Sequence, residues 1–213
     1  MTDTAHAPEK RPTVAAPLLL VEEISHRVAN EYAIAIASIG LEAARIMDAD
    51  ARAALRRVST KLSAFAEAHR ALQSPRADDE MNLGDHLDRL CAAISDAALR
   101  DRGVKLILLE DEIVLTPDRC WRVGLIIAEL ITNAVRHGFG GRGGGMIVIE
   151  VRQAGTEVLC QVSDNGGCEP NPPASRGRRV VEGLAADLGG DISWRFERGG
   201  VTARLSFPSG TGG

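Results

Sequence analysis

The 213-residue sequence contains no C-x-x-C pair; its four cysteines, Cys91, Cys120, Cys160 and Cys168, are scattered. That spacing supports neither a zinc ribbon nor a thioredoxin-like redox site, and reads as reduced thiols of a cytosolic protein. No run of 18 apolar residues occurs, so neither a transmembrane helix nor a membrane partner is expected. The opening stretch MTDTAHAPEKRPTVAAP lacks a basic segment followed by an apolar one, so it does not read as a signal peptide, and the expected location is cytoplasmic. Positive charge is not in excess: 25 Lys+Arg against 29 Asp+Glu give a formal charge of -4, which argues against nucleic acid as a partner. Hydrophobic residues make up 45% of the chain, which excludes global disorder, and the length suits one large domain or two small ones.

Polarity and periodicity divide the chain. Residues 1–16, with Pro8 and Pro12, read as a disordered leader. Pro17 suits the first turn of a helix. Apolar residues at 21, 24, 28, 32, 36, 39, 43 and 46 form one helical stripe. After the acidic break Asp48-Ala49-Asp50, a second stripe runs Leu55, Val58, Leu62, Phe65, His69, Leu72 in alternating steps of three and four. Two such helices make an antiparallel hairpin over 17–74. Its exposed stripe predicts a homodimer, the two hairpins forming a four-helix bundle. Residues 75–80, with Pro75 and acidic residues, are the expected linker.

A second unit is expected over 81–208, before a flexible tail at 209–213. Helices are expected at 82–100, from Pro117 to about His137, and at 178–188. Strands are expected at 104–109, 146–152 and 157–163, with a hairpin of 191–197 and 201–207. This is an α+β chain: a helical hairpin followed by an α/β sandwich with helices on one sheet face.

Three groups of residues carry chemistry. Glu129, Asn133 and His137 stand at i, i+4 and i+8 of one helix and share a face. A carboxylate, an amide and an imidazole there suit a hydrated Mg²⁺ with phosphate ligands, or form a solvated polar face. Asp164-Asn165-Gly166-Gly167 follows the strand VLCQVS. An acid at a strand end can accept a bond from an exocyclic amine, and the glycines permit close approach of a ring; an ordinary turn has the same composition. His26, within Ser25-His26-Arg27-Val28-Ala29-Asn30, points away from the apolar stripe by helical geometry. An imidazole there can accept a phosphoryl group, with Arg27 near the incoming oxyanions and Asn30 one turn later on the same side. It can also be a plain surface histidine.

The order of these groups, an HRVAN helix, then ELITNAVRH, then DNGG at a strand end, resembles the histidine kinases of two-component systems, in the subfamily with an H-R-x-x-N box. The resemblance spans roughly residues 20–208. It implies a dimerisation and phosphoacceptor hairpin followed by an ATP-binding domain of Bergerat type. By that resemblance His26 is the phosphoacceptor, with Arg27 and Asn30 in its box. Asn133 holds Mg²⁺, Glu129 supports it through water, and His137 approaches the phosphates. Asp164 reads the adenine amino group, Gly166 lies beside it, and Gly177 belongs to the second glycine box. ATP and Mg²⁺ are the implied cofactors. A response-regulator receiver domain is the implied recipient of the phosphoryl group. His69 matches a histidine near the end of the second helix and reads as a packed seam residue.

The sequence also departs from the pattern. The first glycine box ends in Cys168 in place of glycine. The second reads Ser175-Arg176-Gly177-Arg178, with arginine at the usual leucine position. In the last box Gly199-Gly200 is followed by Val201, so Thr202 comes one place late. Arg176, Arg178 and Arg179 suit triphosphate oxygens, a partner, or a solvated helix start. Residues 169–175 (EPNPPAS) take the place of the ATP lid. With about 17 residues before the hairpin, input is expected from a separate sensor protein. Three functions remain open: an active kinase, a histidine phosphotransferase that works without ATP, and a non-enzymatic module that sequesters a regulator.

Overall fold

The computed structural model describes residues 16–73, 80–139, 144–167 and 176–210, with residues 16–26 described by backbone alone. The expected leader (Ala16 apart), the linker (Glu80 apart), the lid segment and Cys168 lie outside the described residues, as does the direction of the His26 side chain.

Helices α1 (Ala16–Arg45) and α2 (Ala49–Ala71) form the antiparallel hairpin. The residues that α1 turns inward include Val28, Tyr32, Ile36, Ile39 and Ala43, which follow the apolar stripe. The break falls at residues 46–48, slightly earlier than the acidic triplet suggests. Asp48 ends it as an N-cap, its Oδ1 accepting from the Ala51 N–H at 2.7 Å. The Arg52 guanidinium closes the turn by donating to the Ile46 carbonyl at 2.8 and 3.1 Å. Further along the hairpin, the Tyr32 and His69 rings meet at a centroid distance of 6.2 Å. His69 is therefore half-buried in the hairpin, packed across the seam.

The second unit opens with β1 (Met81–Asn82) and α3 (Leu83–Ile94), capped by Asn82. The helix expected over 82–100 is three pieces: α3, a π-helical turn at Ser95–Leu99 and a 3₁₀ turn at Arg100–Arg102. Gly103, at φ 65°, releases the chain into β2 (Val104–Glu110). Strand β3 (Val114–Leu115) pairs with β1, a short ladder that two-residue strands do not announce in sequence. Helix α4 (Pro117–Asn133) starts on its proline. Strands β4 (Gly145–Ala154) and β5 (Glu157–Asp164) follow, joined through Gly155 at φ 63°. Helix α5 (Arg176–Asp187) begins two residues earlier than expected and leads to β6 (Asp191–Glu197) and β7 (Gly200–Pro208).

The main sheet has the order β2-β4-β5-β7-β6, parallel between β2 and β4 and antiparallel elsewhere. A parallel pair needs a crossover, and α4 supplies it. Helices α3, α4 and α5 bury their apolar stripes on one face, against inward residues such as Ile147, Ile149, Val158, Leu205 and Phe207. The outward alternates Ile107, Leu109, Met146 and Leu159 are exposed on the other face. The fold class is the expected one, a helical region followed by a mixed α/β sheet domain.

The hairpin rests on the sandwich through α2. Ala66 is buried, Ala71 and Leu72 pack on the sandwich core, and Lys61 pairs with Asp101 at 2.5 Å. The buried Trp121 of α4 donates its indole N–H to the Leu72 carbonyl at 2.8 Å, capping α2 with a hydrogen bond worth about 0.5–1.5 kcal/mol. At the far end Ser209 is buried and its N–H donates to the Thr156 carbonyl at 2.8 Å, so order continues one residue past the expected boundary. Among the described residues no helix is long and apolar enough to cross a membrane.

Candidate functional site

Helix α4 carries the first part of the site. Ile126, Leu130 and Ile131 anchor it in the core and leave Glu129 and Asn133 half-buried on the adjoining face. One turn apart, their side chains meet: the Asn133 amide donates to Glu129 Oε1 at 3.3 Å. Beyond Asn133 the α-helix gives way to a π-helical turn, Ala134–Gly138. A π turn is wider and advances each residue through a smaller angle, so four steps still bring His137 back to about the azimuth of Asn133. His137 is exposed.

The first turn of α5 closes over this pair. A Cβ built on Gly177 would overlap the Glu129 carboxylate and stand 3.5 Å from the Asn133 amide nitrogen. A side chain there would have to displace the Glu129 carboxylate; with glycine, backbone faces the two side chains.

The second part lies at the end of β5. Asp164 follows Val158, Cys160 and Val162 on the helix-facing side of the sheet and is half-buried. Burial raises its carboxyl above the usual range, and N–H groups of Gly166 and Val201 pull it back by hydrogen bonding. The Gly166 contact is 2.9 Å. Gly166 has a packing reason of its own: a Cβ there would lie 2.5 Å from the Gly138 Cα, and the Gly167 N–H donates to the Gly138 carbonyl at 2.9 Å. The close approach that Gly166 permits is therefore that of the π turn. Gly167, with nothing near its missing Cβ, is the glycine that faces open space. Gly138 in turn is 3.0 Å from Asp164 Oδ1, measured from its absent Cβ. One continuous helical wall, α4 with its π turn, thus touches Gly177 at one point and Asp164 at another.

Two supporting residues escaped the sequence reading. Asn165 Oδ1 accepts from the Met146 N–H at 2.7 Å, tying the loop to the start of β4. Gly200, at φ 142°, lies so close to the Asp164 carbonyl that any Cβ would overlap it. The Gly-Gly before the last strand was the available signal. The late threonine behaves as strand alternation requires: Thr202 pairs with Ser163, and its hydroxyl lies 3.4 Å from the Ser163 hydroxyl on the outer face, opposite Asp164. From this strand a backbone N–H, that of Val201, serves the carboxylate.

Of the second glycine box, Arg176 and Arg179 are exposed, whereas the Arg178 guanidinium stacks on Trp194 and Phe196. That geometry turns Arg178 toward the sheet, unlike its two exposed neighbours. In the hairpin, His26 lies in α1, and Arg27 and Asn30 are exposed.

The donor set fits a nucleotide with its magnesium. Oxygen donors of Glu129 and Asn133 suit Mg²⁺, Gly177 leaves backbone facing them, and a half-buried carboxylate at Asp164 can accept from an amine.

Known proteins bear on the whole arrangement. Residues 23–98 match the family described as histidine kinase, and residues 102–199 the histidine kinase-like ATPase domain. The sensor histidine kinase PdtaS of Mycobacterium tuberculosis is 30% identical over 201 residues, covering 91% of this chain and 40% of the relative. The chain thus spans about two fifths of that protein's length. Among solved structures, the histidine kinase domain of a blue-light activated histidine kinase from Erythrobacter litoralis superposes with a TM-score of 0.60 at 21% identity, covering 84% of this chain and 95% of that one. A bacterial phosphotransferase superposes with a TM-score of 0.60 at 15% identity, covering 91% and 98%; both likenesses are of fold. With its helical hairpin, its mixed α/β sandwich and these matches, the chain belongs to the histidine kinases.

Proposed function

We propose that this chain is the kinase core of a two-component system, with His26 taking a phosphoryl group from Mg-ATP and passing it to an aspartate of a response-regulator receiver domain. The observation that carries this reading is the wall of α4 and its π turn, which holds the Glu129–Asn133 pair against Gly177 and Asp164 against Gly138. In this reading Asp164 accepts from the adenine amino group. Asn133 would hold magnesium, with Glu129 supporting it through water, and the ion when bound would neutralise charge on the polyphosphate. A His26 ring nitrogen attacks the γ-phosphorus, forming the N–P bond as the bond to the ADP oxygen breaks; the ring proton is lost to solvent. Positioning and electrostatics supply most of the rate enhancement. Arg27 lies beside the incoming oxyanions and Asn30 orients a phosphoryl oxygen. His137, exposed on the π turn, approaches the phosphates from the rim.

The hairpin pairs with that of a second copy as a four-helix bundle. The proposed division is a hairpin at 17–74, a linker at 75–80 and an ATPase domain at 81–208. Calorimetry with Mg-ATP tests the reading: the wild type binds, while Asp164→Asn and Asn133→Asp each lose most of the affinity. Wild-type binding that both variants retain would contradict it.

A further inference from the structure

Helix α5 buries one stripe: Val181, Ala185 and, just past the helix, Leu188. Arg178 extends that stripe into the first turn, where an apolar side chain would be expected. Its guanidinium carbon lies 4.9 Å from the Trp194 ring centroid and 5.2 Å from that of Phe196. Trp194 and Phe196 are alternate residues on the half-buried, helix-facing side of β6. A cation in the first turn opposes the helix dipole, and two aromatic faces offset that cost. Next to Arg178 in the chain, Gly177 is pressed against Glu129 and Asn133. The first turn of α5 is therefore a wall of the Glu129–Asn133 cleft, and Arg178 joins that wall to the sheet.

We propose that Arg178 is a positioning residue of the nucleotide site: stacked on Trp194 and Phe196, it fixes Gly177 against Glu129 and Asn133. This rests on the reading that those two side chains hold a Mg-nucleotide. Arg178 acts through Gly177 and contacts no phosphate.

Two measurements on the full chain test it, with Arg178→Ala, Arg178→Leu and, as control, Arg195→Ala on the exposed face of β6. Hydrogen exchange is read without nucleotide at the amides of residues 180–182, which bond the carbonyls of the first turn. Arg178→Ala speeds exchange there about tenfold, the scale of one lost stacking interaction, and Arg178→Leu restores it. Calorimetry with Mg-ATP then gives about tenfold weaker binding for Arg178→Ala and a change under about threefold for Arg178→Leu and Arg195→Ala. Unchanged exchange in Arg178→Ala would overturn the anchor. Binding by Arg178→Leu as weak as by Arg178→Ala would overturn it in favour of direct charge contact with phosphate. A wild type that binds no Mg-ATP would overturn the nucleotide reading and the positioning role built on it, and the exchange rates would still decide whether Arg178 anchors α5.

Discussion

The hairpin and the sandwich solve the burial problem differently. The sandwich encloses Leu87, Ile126, Ile131, Ile149 and Phe207 almost completely between helices and sheet. Among the described residues of the hairpin, Ala43 and Ala66 are the buried hydrophobic ones, while Leu41 is 64% exposed, Val58 48% and Phe65 38%. Two helices have a single mutual seam, so half of an apolar surface wider than that seam faces outward. The sandwich can stand on its own core. The hairpin needs a further surface, and the docking of α2 on the sandwich, with Ala66 buried and Ala71 and Leu72 on the core, supplies only part of one.

The comparison breaks most visibly by cavity formation. Leu87→Ala, at 0% exposure, is expected to cost about 2–5 kcal/mol in denaturant unfolding, whereas Leu41→Ala costs a monomer under about 0.5 kcal/mol. A larger loss at Leu41 would mean that another surface covers it. Next comes Phe65→Asp, which places a charge on the seam and is expected to shift light scattering from dimer to monomer with the sandwich still folded. An unchanged dimer would remove this part of the hairpin from the interface.

A third prediction concerns acid. His86 is buried between α3 and α4 with its Nε2 unpartnered and facing Gly124. Burial, and then the nearby Arg89 charge, hold its imidazole below the ordinary value. The folded state therefore resists protonation. Its stability is full above the unfolded histidine value of about 6.5 and falls as the pH drops below it. His86→Leu flattens that fall; an unaltered profile would assign the acid sensitivity elsewhere. The smallest effect is at the turn: Asp48→Ala removes the α2 cap and costs about 1 kcal/mol, measurable as a loss of helix signal on heating.

Much of this was legible because it rests on period and punctuation. The steps of three and four set the hairpin faces, Pro117 marked the start of α4, and the last box showed Thr202 one place late. What could not be read depends on neighbours distant in the chain or on a change of helix type. The π turn at Ala134–Gly138 is such a change, and no residue in AVRHG announces it. Gly166 looked like a glycine beside a ligand or part of a plain turn, and Gly200 like part of a box or a hairpin turn. Each is glycine because another stretch of backbone, at Gly138 or Asp164, occupies the space of its side chain. Arg178 looked like a phosphate ligand, a partner contact or a solvated helix start; Trp194 and Phe196, sixteen and eighteen residues on, lie beneath it. Family resemblance named the candidate site residues, and the structure added why Gly166 and Gly200 must be small.

The central claim is that the sandwich charges the hairpin. Incubating the purified protein and His26→Gln with γ-labelled ATP and Mg²⁺ tests it most directly. The account predicts acid-labile label on the wild type and none on the variant. Label retained by His26→Gln would refute the assignment of the phosphoacceptor. A wild type that takes no label from ATP yet accepts a phosphoryl group from a phosphorylated receiver domain would contradict the kinase reading and make the chain a histidine phosphotransferase.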